Sequence, residues 1–399
     1  MDNVIFFKEE FINESNAFTK YYNAIKNSPT KGKCLIADCG IPKDKILIQE
    51  KPTVLQVNPL CSCVGNNESS LYRCHNCGAA CRIFFTCDGC NVCIFCSRSC
   101  LLEAYKDYHR YECYGIQRHF WSMDDTDYSY LSLRMMLYGA SKKFETDRME
   151  SQYGSDKNNY PFIYELESHF SKLPWGMINK ILHSSVKNLI YLISKTTFFN
   201  QFKEENYNLD DLYLYVGGLL VKHYCQAQTN SVLLKFYNLP AGFGINIVSG
   251  RGKAICPTIA LLNHACSPNA AIVTYNGFLV VKTLKPIRKG QEITICYQEV
   301  DALLPHAERQ IITEELFHFT CNCNFCIYER NWSEAPYKCT VCTTGRAKKV
   351  DLENGKSMGY CFNCQKHFNL DGIKENLKII NICRNLCKYT FFSIYDNIS

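Results

Sequence analysis

Paired cysteines constrain this chain more than any other feature. Four pairs follow one another between residues 74 and 113: Cys74-x2-Cys77, Cys87-x2-Cys90, Cys96-x3-Cys100 and His109-x3-Cys113. A Cys-x2-Cys pair sits on a tight turn that aims two sulfurs at one ion, and tetrahedral zinc takes two such pairs. Seven cysteines and one histidine therefore make two closed structural sites. A closed shell has no open position, so neither ion is expected to be catalytic. Which pairs combine does not follow from spacing. Cys81 and Cys93 are surplus thiols. His75, inside the first turn, is expected to be exposed and unligated. Leu101–His109 reads as a short helix that delivers the histidine.

Two later groups extend the pattern. Cys321-x-Cys323-x2-Cys326 offers three thiolates and leaves one corner of a tetrahedron empty. Cys339-x2-Cys342 and Cys361-x2-Cys364 are eighteen residues apart, a ribbon spacing, with Gly345, Gly355 and Gly359 for turns. Metal is expected rather than disulfides. Met1-Asp2-Asn3-Val4 carries no basic segment followed by an apolar stretch, so no secretory signal is expected. No unbroken apolar run approaches about 18 residues, so no membrane span is expected. Without secretion, 26 cysteines mean reduced thiols and ligands.

The 399 residues suffice for two or three domains. At 47% hydrophobic and 21% charged, the chain reads as globular rather than disordered. A net charge of +6 fits an acidic or nucleic-acid partner without demanding one. No lysine/arginine run forms a nucleic-acid arm, so direct nucleic-acid binding is not expected.

Residues 1–30 hold Phe7, Phe11, Ile12, Phe18 and Tyr22 near helical spacing, which predicts one or two amphipathic helices. Lys31–Ala37 begins a strand, Gly40–Asp44 a turn, and Ile46–Ile48 a second strand. Residues 116–235 show helical periodicity over Leu131–Ala140, Met177–Ser194 and Leu209–Gln228, with Asp147–Tyr160 as a polar surface loop. Gly250-Arg251-Gly252-Lys253 lacks full Walker spacing and reads as a loop. The pattern then turns to strands at Ala271–Tyr275, Gly277–Thr283 and Glu292–Tyr297, with Asn276-Gly277 as a hairpin signal. Pro286–Gly290 is a turn and Ala307–Phe317 a helix. Ile379–Ser399 has no clean pattern.

The stretch Asn263-His264-Ala265-Cys266-Ser267-Pro268-Asn269 is followed by Ile295-Cys296-Tyr297 and then by the Cys321 group. That order and spacing resemble the catalytic half of a SET domain with its cysteine-rich post-SET tail. Residues 74–113 resemble a MYND zinc module. Together they resemble the SET-and-MYND family of protein lysine methyltransferases over most of 31–370, in the subfamily with an extra C-terminal zinc ribbon. The implied fold is α+β. A SET β-fold begins in 1–60 and is split by the MYND module (71–115) and a helical insert (116–235). The catalytic core follows (236–320), then the post-SET segment (321–330), the ribbon (337–370) and a short tail (371–399). Family members continue with a long helical lobe, expected here to be short or missing.

The resemblance also implies ligand sets and roles. Cys74, Cys77, Cys96 and Cys100 would share one zinc, and Cys87, Cys90, His109 and Cys113 the other. Cys266 would fill the empty corner beside Cys321, Cys323 and Cys326. With Cys339, Cys342, Cys361 and Cys364, the implied total is three to four structural zinc ions. The implied cofactor is S-adenosyl-L-methionine. Lys31, Gly32 and Lys33 stand at its first loop, with Asn230, Ser231, Asn263 and His264 as further contacts and Phe319 stacked on adenine. Tyr297 would be the catalytic tyrosine and Phe317 would line the substrate channel. From the residues alone plainer roles stay open: Asn263 capping a turn, His264 and Phe319 as core, Tyr297 as a strand aromatic.

Two positions depart from the family pattern. Phe317 stands where many relatives have a second tyrosine, removing a hydrogen bond worth about 0.5–1.5 kcal/mol. Cys34 stands at the second glycine of a Gly-x-Gly loop, where a Cβ restricts positive φ. The implied substrate is a lysine in a histone or non-histone protein or peptide, with a role in chromatin and transcription and a place in nucleus and cytoplasm. The alternative is a catalytically weak SET-fold adaptor that binds proline-rich partners through its MYND module. The sequence gives no oligomeric state.

Overall fold

The structure is a computed structural model. It describes residues 24–28, 31–58, 72–122, 124, 126–144, 160–203, 208–238, 247–275, 277–297, 304–334, 337–342, 346–351, 357–361 and 364–370. The helices expected before residue 24, the loop over 145–159, Asn276, Gly345, Gly355 and the tail from 371 lie outside these residues. The chain divides into two compact units, Met1–Asn263 with Asn269–Ile295, and His264–Pro268 with Cys296–Ser399.

In the first unit, short apolar runs form the expected strands. Ile46–Glu50 pairs antiparallel with Phe278–Thr283, which pairs in turn with Ala270–Tyr275. Leu47, Ile48, Leu279 and Val281 are fully buried there. Val54–Val57 pairs with Ile247–Ile255, whose other edge takes Val232–Asn238. All four residues of Val54–Val57 are buried, so this strand is nearly continuous in apolar character instead of alternating.

The structure corrects three expectations here. Residues 250–253 lie inside the strand Ile247–Ile255, not in a loop. Lys253 donates from Nζ to the carbonyl oxygens of Asp124 (2.8 Å) and Asp127 (2.5 Å) and lies 4.5 Å over the Tyr128 ring. Ala24–Ser28 is a strand, not helix. It pairs with Gly32–Ile36, and Gly32 makes the connection at φ +70°, a conformation a side chain would strain. Tyr160, expected in a surface loop, opens the helix Tyr160–Tyr164 and is buried, its hydroxyl 3.2 Å from His223 Nε2.

The insert supplies the helices Ser129–Ser141, Trp175–Lys195 and Leu209–Asn230. Ser129–Ser141 is buried on nearly every side, as its sparse polarity requires. Trp121 donates from Nε1 to Asn188 Oδ1 (2.7 Å), and Asn188 Nδ2 donates to the Ser129 carbonyl (2.9 Å), which ties two of these helices together. Among the described residues, no helix is long and apolar enough to cross a membrane.

The second unit holds the helices His306–Phe317 and Asn324–Glu334 and a four-stranded antiparallel sheet. That sheet runs Tyr337–Lys338, Arg346–Asp351, Ser357–Cys361 and His367–Asn369. His318, left-handed at φ +58°, ends the first helix and turns the chain toward Cys321.

In the first unit, one buried carboxylate supports the approach to Asn263. Glu50 accepts the backbone N–H groups of Thr258 (3.1 Å) and Ile259 (2.9 Å), at the start of the turn Ile259–Leu261. Burial pushes its carboxyl up from an ordinary 4.5 to about 7, although the two N–H groups act the other way. A raised folded-state value contributes stability below about pH 4.5 that is lost as pH rises through about 7. The unfolding free energy of wild type minus that of Glu50→Gln should therefore fall between pH 5 and 7 and level off above. Urea titrations across that window measure it, and a flat difference would refute the assignment.

Candidate functional site

Four cysteine clusters gather their ligand atoms within 4.8 Å of one another. They are Cys74, Cys77, Cys96 and Cys100; Cys87, Cys90, His109 and Cys113; Cys266, Cys321, Cys323 and Cys326; and Cys339, Cys342, Cys361 and Cys364. The separations fit the metal. Zinc with sulfur at about 2.3 Å sets a tetrahedral edge near 3.8 Å, whereas a disulfide is about 2.05 Å. Cys77–Cys96, Cys87–Cys113, Cys266–Cys321 and Cys339–Cys364 sulfurs stand 3.6, 3.6, 3.8 and 3.7 Å apart. Three of the zinc knuckles turn by local means. After Cys77 comes Gly78 at φ +73°, after Cys90 Asn91 at φ +53°, and after Cys364 Gln365 at φ +59°. Ser97 caps the helix Arg98–Ala104 by accepting the Cys100 N–H, which sets Cys100 in its first turn. His109 ends a π-helical turn, Tyr105–His109, so the expected single helix is interrupted where the ligand is delivered.

A buried ion network surrounds the second cluster. His109 Nδ1 lies 3.1 Å from Glu112 Oε1, which orients the ring toward the metal. Arg134, from the helical insert, grips the same carboxylate with Nη2 (2.7 Å) and Nε (2.9 Å). Burial alone would raise the Glu112 carboxyl, but Arg134 and His109 outweigh it and hold it at about 2. Arg134 Nη1 also donates to the carbonyls of Leu55 and His75. Its guanidinium lies 4.4 Å over Tyr108 and 5.0 Å over Tyr130. His75 is consequently buried, not exposed. Its Nδ1 accepts the Ile94 N–H at 3.0 Å, and burial lowers its pKa to about 4. It belongs to no cluster. Gly277 completes the fit of the zinc module to the sheet: a Cβ there would meet the Cys77 carbonyl oxygen at 2.1 Å.

Elsewhere in the first unit a polar group forms around Glu292. Lys31 Nζ pairs with Glu292 Oε2 at 2.7 Å, and Asn263 Nδ2 donates to Glu292 Oε1 (2.9 Å) and to the Lys33 carbonyl (3.3 Å). With both amide hydrogens engaged, Asn263 presents Oδ1 as its acceptor. Sequence reasoning missed Glu292, because only the bridge between Ile36 and Glu292 brings it to Lys31. Lys33 pairs with Glu165 at 3.0 Å. Cys34 lies in a strand opposite Lys26, buried and outside the left-handed region, with Sγ 3.3 Å from the Lys26 carbonyl. The positive φ falls on Gly32 instead, so Cys34 strains nothing. Asn230 ends its helix with Nδ2 donating to the Glu167 and Gln226 carbonyls, and Ser231 is the helix cap. Among the described residues no hydrogen bond joins Asn230 or Ser231 to the Lys31–Glu292–Asn263 group.

In the second unit the aromatic residues converge. The Tyr297 ring centroid lies 5.3 Å from His264, 4.9 Å from Phe317 and 6.4 Å from Phe319, the last edge-on. His264 Nδ1 accepts the Tyr297 N–H at 3.1 Å, and burial lowers the ring's pKa to about 4. Arg309, fully buried and missed in the sequence, donates to Cys326 Sγ (3.6 Å) and to Glu329, and lies 4.8 Å over Phe325. Four thiolates on one Zn²⁺ leave two net negative charges, and this guanidinium places one positive charge against them.

A family model described as SET domain matches residues 32–298. The chain is similar to the histone-lysine N-methyltransferase ASHR1 of Arabidopsis thaliana, 25% identical over 305 residues, which is 76% of this chain and 54% of that protein. It is similar to the protein-lysine N-methyltransferase SMYD4 of Homo sapiens, 24% identical over 375 residues, 75% of this chain and 45% of that one. It also resembles the N-lysine methyltransferase SMYD2-B of Danio rerio, 46% identical over 80 residues, 20% of this chain and 18% of that one. The chain spans about half the length of the first two.

Protein purified under reducing conditions should carry four zinc ions per chain by atomic emission, and Cys266→Ser should lose one. Full occupancy in that variant would remove Cys266 from the ligand set. Arg134→Met should lower the unfolding free energy by about 3–5 kcal/mol, because it strands a buried carboxylate. Denaturant titration measures this, and a loss under about 1 kcal/mol would show that the network carries little.

Proposed function

This chain belongs to the SET-domain family, and on that premise we propose that it is a zinc-containing, S-adenosylmethionine-dependent protein-lysine N-methyltransferase. The observation that carries the reading is Tyr297, pinned through its backbone and ringed by His264, Phe317 and Phe319. The substrates are lysines of histone or non-histone proteins.

Within the first unit the residues present fit the amino-acid end of such a cofactor. Asn263 offers Oδ1 to an ammonium group, and Lys31 a cation for a carboxylate. Gly32 offers open backbone, with nothing within 4 Å of where a Cβ would stand. Within the second unit, Phe319 by itself offers a half-buried ring of the kind on which a purine stacks. S-adenosylmethionine, when bound, supplies an electrophilic methyl on sulfonium. The protein's own part is to bring in a neutral amine. A lysine in water has a pKa of about 10.4, and apolar surroundings such as Phe317 and Phe319 lower it by disfavouring the ammonium form. The Tyr297 hydroxyl orients the amine's lone pair, and alignment supplies much of the rate. Phe317 adds no second hydroxyl, which leaves room for an amine already carrying methyl groups.

Proline-rich peptides are the proposed ligands of the zinc module. Ile83 and Phe85 are exposed beside the Tyr72–Phe84 ring pair, whose centroids are 4.6 Å apart. Nucleus and cytoplasm are the proposed locations, checked by fractionation.

Calorimetry with zinc-loaded protein should give saturable S-adenosylmethionine binding, weakened about tenfold or more in Asn263→Ala. Tyr297→Phe should bind the cofactor normally yet transfer methyl about a hundredfold more slowly. Absence of cofactor binding by fully loaded protein would turn the reading to a SET-fold adaptor, for which peptide capture through Ile83 and Phe85 is the assay.

A further inference from the structure

The resemblance places His264 among the cofactor contacts, and both nitrogens of its ring are engaged within the protein. Nδ1 faces the backbone nitrogen of Tyr297 at 3.1 Å. A backbone N–H only donates, so Nδ1 is the acceptor and carries no proton. The neutral ring then carries its proton on Nε2, which lies 3.3 Å from Cys266 Sγ. That sulfur stands 3.4 Å from Cys326 Sγ and 3.8 Å from Cys321 Sγ, as a fourth zinc ligand requires. His264 is only 6% exposed and lies against the rings of Tyr297 and Phe319, so water has little access to either nitrogen.

We propose that His264 is a positioning residue that ties the Cys266 sulfur of the post-SET zinc site to the Tyr297 backbone, so that metal binding there fixes where the tyrosine hydroxyl stands. One imidazole makes both bonds. Its Nε2–H steadies the thiolate, in the way that hydrogen-bonded neighbours orient metal ligands. Its Nδ1 holds the one backbone donor that sets the Tyr297 ring among Phe317 and Phe319. The post-SET zinc thereby acts on the reacting residue without touching substrate. The role of the Tyr297 hydroxyl rests on the methyltransferase reading, but the two hydrogen bonds do not.

Two partial mimics of histidine separate the bonds. In His264→Asn the short amide retains an acceptor near Nδ1 and cannot reach the sulfur. In His264→Gln the longer amide retains a donor near Nε2 and offers nothing at Nδ1. The full chain, loaded with cadmium-113, gives one resonance per cluster, and the post-SET signal is the one lost in Cys323→Ser. His264→Asn should shift that resonance and keep the Tyr297 amide protected from hydrogen exchange. His264→Gln should do the reverse. His264→Ala should do both, with the amide exchanging several-fold to about tenfold faster. Each variant should lower kcat and leave KM for the cofactor nearly unchanged. If His264→Ala moves neither signal, or the Asn and Gln variants change both signals alike, the link is overturned. Should His264→Ala fail to fold, the Asn and Gln pair decides the matter. A wild-type protein without turnover would sink the methyltransferase reading and leave the cadmium and exchange results to judge the link.

Discussion

The bidentate contact between Arg134 and Glu112 is the interaction on which most of the first unit depends. Both groups are buried, and neither charge is tolerable there alone. Together with His109 they form a line of charge from a zinc ligand to the middle of an insert helix. The remaining Arg134 donor reaches the carbonyls of Leu55 in a sheet strand and His75 in the other zinc knuckle. One guanidinium thus serves sheet, insert and both zinc turns. The module is built into the sheet rather than strung beside it, as the close approach of Gly277 to Cys77 also requires.

The same physical problem is solved a second time in the other unit. A four-thiolate zinc site is anionic, and burying it is costly unless a cation or donors lie close. Arg309 supplies the cation, packed on Phe325 and anchored by Glu329. His264 supplies the donor. Neither residue ligates metal, yet both decide how the sulfurs are held. The ligands alone would leave their negative charge buried without compensation.

What was readable in the sequence was local. Knuckle turns close within four residues, so Cys74-x2-Cys77 and its repeats declared their ligands directly. The hairpin strands and the three insert helices followed from short-range periodicity. The failures were of a different kind. His75 looked exposed because a turn residue usually is, but Ile94, Phe95, Tyr108 and Arg134, arriving from elsewhere, surround it. Residues 250–253 looked like a loop because two glycines punctuate them, but pairing on both edges overrode that local preference. Cys34 looked strained because the family pattern put a glycine there. The left-handed turn is made two residues earlier, at Gly32.

By itself the sequence determined the paired-cysteine zinc ligands, the insert helices and the family motifs around Asn263 and Tyr297, because each is written in spacings of a few residues. Tertiary structure alone decided which charges meet. Glu292 reaches Lys31 across 261 residues, and Arg134 reaches Leu55 across 79. It also decided that the His264 ring faces a sulfur and a backbone amide. Hydrogen bonds and ion pairs act over about 3 Å, and no local pattern records which distant segments folding brings within that range.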